Sequence, residues 1–196
     1  MAAAQRIGLF GGSFDPVHLG HVMVARAAIE ELQLTRLFLI PAARSPFKTD
    51  ETPAAAPHRL RLLRLAFAGW NDCEVDAQEM ARDGASASYS INTVRDYAAR
   101  FTGASLHYLI GADHVPTLPQ WREAAALAAL VTFAVMSRPG ETPVDFPAPF
   151  HGTWLRGQPM AVAASDIRRR ARAGLSIDHL VPAAVAGAIR ELKLYT

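Results

Sequence analysis

Two histidines three residues apart, His18 and His21, follow a glycine pair, Gly11 and Gly12, with Ser13, Phe14, Asp15, Pro16 and Val17 between the two pairs. Residues three apart share one face of a helix, so both imidazoles sit on one side of a first helical turn and both can donate to a phosphate. The glycines let main-chain N–H groups approach an anion closely, and the partial positive charge of a helix N-terminus points at the same place. The stretch Gly8 to His21 is an anion site by construction. Further along, Ser165-Asp166-Ile167-Arg168 places a hydroxyl at an expected helix N-cap and a guanidinium three residues on, a second anion site. Arg44 and Lys48 stand among prolines in a loop that either faces the crevice of the histidines or is a solvated lid.

These groups need elements to hold them. Arg6 to Phe10 is short and apolar, as a buried parallel strand should be, and Val22 to Gln33 carries apolar residues at helical spacing. Strands are likewise expected at Thr35 to Ile40, Cys73 to Asp76, Leu106 to Gly111, Val131 to Met136 and, briefly, Thr153 to Leu155. Between them, Pro57 to Gly69 is expected to be a helix with Leu60, Leu63 and Phe67 on one stripe and Arg59 facing outward. Ile91 to Phe101 is expected as a helix capped by Ser88 or Ser90, and Leu118 to Arg122 as the start of an alanine-rich helix. Leu180-Val181-Pro182 opens a terminal helix with apolar Val185, Ile189 and Leu192. The alternation predicts an α/β fold, a Rossmann-like doubly wound parallel sheet of about five to six strands with a short C-terminal helical segment, and puts the Gly8–His21 turn beside the switch point. Asp113 then stands just past the carboxyl end of a strand, where it serves either as a helix cap or as an acceptor for ribose hydroxyls.

The 196 residues, 51% of them hydrophobic, suit one domain over 1–196 with 165–196 as its C-terminal helical part. A formal charge of +2 with 19% charged residues does not imply a polyanion-binding surface, and Arg168-Arg169-Arg170 with Arg172 is the one dense basic cluster. No nucleic-acid partner is expected. A single cysteine, Cys73, excludes an internal disulfide and reads as a packing residue; no apolar run suggests a membrane span or signal peptide, so a cytoplasmic protein is expected. The glycines at 8, 11 and 12 do not form G-x-G-x-x-G, and no Gly-Lys-Ser/Thr is present, which sets aside dinucleotide-binding dehydrogenases and P-loop enzymes.

The residues Gly12-Ser13-Phe14-Asp15-Pro16-Val17-His18-Leu19-Gly20-His21 resemble the G-[ST]-F-D-x-x-H-x-G-H signature of the nucleotidylyltransferase superfamily. Over nearly the whole chain the likeness sharpens to bacterial nicotinate-nucleotide adenylyltransferases: Ser45-Pro46-Phe47-Lys48, Glu79 with Arg82 and Ser88-Tyr89-Ser90, Ile110-Gly111-Ala112-Asp113 with Trp121, Arg138-Pro139-Gly140, Ser165 to Arg168 and Leu194-Tyr195 are similar to that family's blocks in order. Pantetheine-phosphate adenylyltransferases share the first motif but not the middle set. This chain departs from the family's I-S-[SA]-T-x-I-R, reading Val162-Ala163-Ala164-Ser165-Asp166-Ile167-Arg168, so one hydroxyl available to phosphate is missing.

The resemblance implies attack by the 5′-phosphate of nicotinate mononucleotide on the α-phosphorus of ATP, giving deamido-NAD and pyrophosphate, with Mg²⁺ carried on the triphosphate rather than by a dedicated protein site. It implies that His18, His21, Lys48 and Arg168 act on the reacting phosphates, and that ATP also meets Gly11, Gly12, Ser13, Phe14, Gly111, Asp113 and Ser165. For the mononucleotide it implies Ser13, Lys48, Tyr89, Ser90, Trp121 and Arg138, with Trp121 against the pyridine ring. Read alone, Trp121 is as well a core aromatic at a helix start. Nicotinamide mononucleotide or pantetheine phosphate as acceptor, and a nucleotide-binding regulator without turnover, remain alternatives, the last favoured by Ala163-Ala164.

Overall fold

The computed structural model describes residues 5–43, 53–81, 88–137 and 139–196. Six strands form one sheet: β1 (Arg6–Gly12), β2 (Arg36–Pro41), β3 (Cys73–Val75), β4 (Ser105–Gly111), β5 (Thr132–Met136) and β6 (Gly152–Leu155). Their order is β3-β2-β1-β4-β5-β6 and every pairing is parallel. The order reverses at β1, which pairs with β2 on one side and β4 on the other, so the doubly wound sheet and the switch point stand as expected.

Alternation along the strands builds two cores. Leu37 and Leu39 point to one face of β2, while Phe38 and Ile40 point to the other. On the first face lie α1 (Leu19–Glu31), α2 (Ala56–Ala66), α6 (Ala164–Arg172) and α7 (Ala183–Glu191), contributing Ala28, Leu62, Ile167 and Val185 among others. On the second lie α4 (Ser90–Arg100) and α5 (Ala124–Leu130), with Val94 and Leu127, and the 3₁₀ helix Ala112–Gln120, with Val115. Cys73 is half-buried against the first core, and burial pushes its thiol up to about 12, so it packs and does not react. Among the described residues no helix is long and apolar enough to cross a membrane.

Several local expectations are corrected. Arg59 is turned inward, because the buried stripe of α2 is Arg59, Leu62 and Leu63 rather than the stripe through Leu60. Leu118 to Arg122 does not start a helix: Pro116 and Pro119 lack the N–H donors an α-helix needs, the segment closes a 3₁₀ helix, and α5 begins at Ala124 after Glu123 in the left-handed region at φ 52°. Neither Ser88 nor Ser90 caps α4; Tyr89 holds that position, while Ser88 Oγ accepts the N–H of Ala43 at 3.2 Å and Ser90 Oγ the hydroxyl of Tyr108 at 3.0 Å. Ser165 lies inside α6, whose N-cap is Ala163. A short helix, α3 (Gln78–Ala81), was not expected at all.

Candidate active site

The chain leaves β1 at Gly12, turns through Ser13 to Val17, and enters α1 with His18 at the N-cap and His21 at the third helical position. His21 Nδ1 accepts the main-chain N–H of His18 at 3.2 Å, the return half of a capping box. That bond requires a bare Nδ1, so the ring proton sits on Nε2, which is then the donor this imidazole offers a ligand. The two rings lie 3.7 Å apart between centroids, and the Phe14 ring packs 5.0 Å from that of His21. His18 is buried and His21 half-exposed.

Phe14 sits in the left-handed region at φ 46° with its ring wholly buried, folded back over Gly12, where a Cβ would come within 3.2 Å of it. A Cβ on Gly11 would lie 2.8 Å from the hydroxyl of Tyr108, so only glycine leaves the main chain open there. Burial raises the Tyr108 hydroxyl well above its usual range, keeping it a donor to Ser90.

α6 approaches this turn because Gly20 has no side chain: a Cβ there would meet Val162 Cγ1 at 2.8 Å and the His18 ring at 3.0 Å. The segment entering α6 therefore packs on the first turn of α1, where the N–H of Leu19 is taken by the carbonyl of Leu180 and that of His21 by the carbonyl of His18. Arg168 is buried and donates to the main-chain carbonyl of Asp15 at 2.8 Å, with the Asp15 carboxylate 3.9 Å away. Arg169 instead pairs with Asp166 at 2.8 Å, and Arg170 donates to the carbonyl of Ser176. Of these three arginines, Arg168 alone is tied to the turn.

On the far side of the switch point, Asp113 is exposed past the end of β4 and its carboxylate folds back over Gly111, 2.5 Å from where a Cβ would be. Trp121 is half-buried, with Tyr108, His114 and Phe133 edge-on around it at 5.7–6.4 Å. The Arg122 guanidinium lies 4.6 Å over the ring of Tyr89, which brings the Trp121 segment to the N-terminus of α4.

Residues 9–170 match the cytidylyltransferase-like family. A protein of Gemmatimonas aurantiaca named "Probable nicotinate-nucleotide adenylyltransferase" is 40% identical over 97% of this chain and 92% of its own. A Bordetella petrii protein of the same name is 42% identical over 97% and 99%. The chain belongs to the nicotinate-nucleotide adenylyltransferase family. It is a nucleotidyltransferase. The solved Plasmodium falciparum nicotinic acid mononucleotide adenylyltransferase complexed with NaAD shares the fold at a TM-score of 0.77, with 13% identity and 97% coverage of both chains.

In this adenylyltransferase the turn residues Gly11, Gly12, Ser13, Phe14, His18 and His21 are tied to Arg168 through Asp15, Ser90 and Trp121 both meet Tyr108, whose hydroxyl stands over Gly11, Tyr89 lies beneath Arg122, and Ser165 is exposed in the first turn of α6. Lys48 and Arg138, with Arg44 and Arg82, lie outside the described residues. Two residues to which sequence reasoning gave no part in the site, Asp15 and Arg59, hold its turn. Asp15 is buried, and its Oδ1 accepts the N–H of Ala54 at 3.2 Å and the hydroxyl of Tyr195 at 2.7 Å. Arg59 donates to the carbonyls of Ser13 and Ala42, both at 2.8 Å, and of Ala54 at 3.0 Å. Its three- and four-residue spacing to Leu62 and Leu63 was the available sign that it faces inward.

Proposed function

We propose that the enzyme transfers the adenylyl group of ATP to the 5′-phosphate of nicotinate mononucleotide, releasing pyrophosphate and forming deamido-NAD. The observation that carries this reading is the meeting of two helix N-termini at a turn holding two imidazoles and one guanidinium, a set of donors and cations. The acceptor phosphate is already an anion near neutral pH, so a general base has little to do. The barrier lies in bringing two anions together in line and in stabilising charge on the transferring group.

In this reading His18, His21 and the N–H groups between Gly11 and Phe14 hold the α- and β-phosphates, and Ser165 with the first turn of α6 receives the leaving pyrophosphate. Arg168 supplies positive charge from behind the turn, through Asp15. Lys48 meets the acceptor phosphate with Ser13. Asp113 accepts from the ribose of ATP, and Trp121, Tyr89 and Ser90 bound the pyridine ring, with Arg138 on the mononucleotide side. The hydroxyl missing at Ala163 leaves the main-chain donors of α6 in place, which is compatible with turnover.

Among the described residues no group of three His, Cys, Asp or Glu side chains converges to hold a metal. Donors and cations fit phosphate oxygens, so Mg²⁺ enters as part of the MgATP substrate. The proposal includes a cytoplasmic location, since ATP is an intracellular substrate.

Mixing the protein with ATP, Mg²⁺ and, separately, nicotinate mononucleotide, nicotinamide mononucleotide or pantetheine phosphate tests the reading. Pyrophosphate release is expected chiefly with the first. ATP binding without release for any acceptor would identify a regulator instead.

A further inference from the structure

We infer that Arg59 is a positioning residue of the reaction: by holding the carbonyl of Ser13 it aims the N–H of Phe14 as a donor to the ATP phosphates. The inference rests on the proposed function for its substrate.

Arg59 is 2% exposed, and each of its hydrogen bonds to the described residues ends on a main-chain carbonyl. Nε donates to Ala54 at 3.0 Å, one terminal nitrogen to both Ser13 and Ala42 at 2.8 Å, and the other to Ala43 at 3.4 Å. These acceptors belong to three separate segments: the turn after β1, the end of β2, and the approach to α2. Burial lowers the guanidinium from its ordinary value, and the charge of Asp15 partly offsets this. A buried charge held only by carbonyl dipoles is costly, and a lysine, with one nitrogen, could not span three segments.

The consequence for the site follows from the geometry of one peptide unit. In a trans peptide the C=O and the next N–H point in opposite directions. Fixing the carbonyl of Ser13 on Arg59 therefore fixes the N–H of Phe14 on the opposite side. Phe14 is held in the left-handed region, its ring clamped between Phe10 at 5.4 Å and His21 at 5.0 Å, so the peptide cannot turn over freely. No acceptor among the described residues takes that N–H. A main-chain donor with no acceptor among the described residues, on a peptide whose carbonyl is held by a fixed side chain, is what a preorganised anion contact requires.

The same residue is tied to the rest of the turn through Ala54, whose carbonyl accepts from Arg59 and whose N–H donates to Asp15. Asp15 in turn receives Tyr195 and Arg168. Loss of the guanidinium would loosen the turn at Ser13 while His18 and His21 stay on α1.

The test compares the wild-type enzyme with Arg59→Lys and Arg59→Met, at a temperature where circular dichroism shows each folded. Steady-state rates should give a kcat lower by roughly ten- to a hundredfold in both variants, with the KM for nicotinate mononucleotide changed less than about threefold. A fall in activity that merely tracks the folded fraction, or an unchanged kcat, overturns the inference. A second readout does not need turnover: the Phe14 amide resonance of the wild type should move on addition of pyrophosphate, and that movement should be lost in Arg59→Lys. A wild-type amide that pyrophosphate leaves in place overturns the inference, whatever the fate of the variants. Should the amide respond while the wild type turns over none of the acceptors, the proposed reaction fails and the role of Arg59 in aiming the donor stands.

Discussion

At the level of single residues the site is governed by how each imidazole is oriented. His21 accepts the N–H of His18 at Nδ1, which fixes its ring on the first turn of α1 with Nε2 on the far side of the ring. His21→Ala should therefore lower kcat by roughly 10²–10³ while changing either KM much less, because a preorganised donor acts mainly on the transition state. Steady-state kinetics with both substrates varied check this; a wild-type kcat in the variant removes the imidazole from the mechanism. The pairing of His18 with His21 was legible because spacing alone puts them on one turn. Arg59 was not, since a charged residue on an amphipathic helix is ordinarily solvated and only the carbonyls of three distant segments make its burial tolerable. The serines at 88 and 90 misled for a similar reason: cap propensity is a local preference, and tertiary partners on Ala43 and Tyr108 outbid it.

At the level of elements, the decisive contact is between the first turn of α1 and the segment entering α6. Gly20→Ala replaces glycine by the best helix former, a gain of at most about 1 kcal/mol, but puts a methyl 2.8 Å from Val162 and 3.0 Å from the His18 ring. Overpacking of that kind costs about 1–3 kcal/mol, so the variant should be less stable and should lose activity as α6 is pushed from the phosphate turn. Gly20→Ala with Val162→Ala should recover part of both, read by thermal melting and by rate; equal defects in the single and double variants would contradict the packing account. β4 carries a second consequence. His107 is buried with neither ring nitrogen bonded among the described residues, and burial first, then the charge of Arg6, lowers its pKa from 6.5. It folds neutral, so below about pH 6.5 the unfolded chain binds a proton the folded chain refuses, and stability falls as pH falls toward the folded value. One such proton accounts for at most about 1.4 kcal/mol per pH unit. The melting temperature should drop between pH 7 and 5.5 more steeply in the wild type than in His107→Leu; parallel slopes would contradict it. Strand existence was readable from short apolar runs, whereas the 3₁₀ segment over Ala112–Gln120 was not, because its prolines looked like the opening of the next helix rather than the end of a tighter one.

At the level of the whole molecule, the fold brings three parts of the chain to one edge of the sheet. Reversal of strand order at β1 opens a crevice between the β2 and β4 sides, and the glycine turn lies at its mouth. The C-terminal helices then return to that mouth, with Arg168 and Tyr195 both ending on Asp15. Alternation of strand and helix made the sheet and its switch point legible. The return of the chain end to Asp15 was not, because nothing local to residues 165–196 specifies a partner some 150 positions earlier. The central claim is that this edge joins an adenylyl group to nicotinate mononucleotide. The most direct measurement is kcat/KM for that acceptor and for its amide, with ATP saturating and the dinucleotide product weighed by mass spectrometry. In the proposed site the pyridine ring lies against main-chain N–H groups beside Tyr89 and Ser90, which would favour a carboxylate, which only accepts, so the acid should be preferred by at least about tenfold and yield deamido-NAD. Equal values for acid and amide, or no dinucleotide from either, would contradict the account.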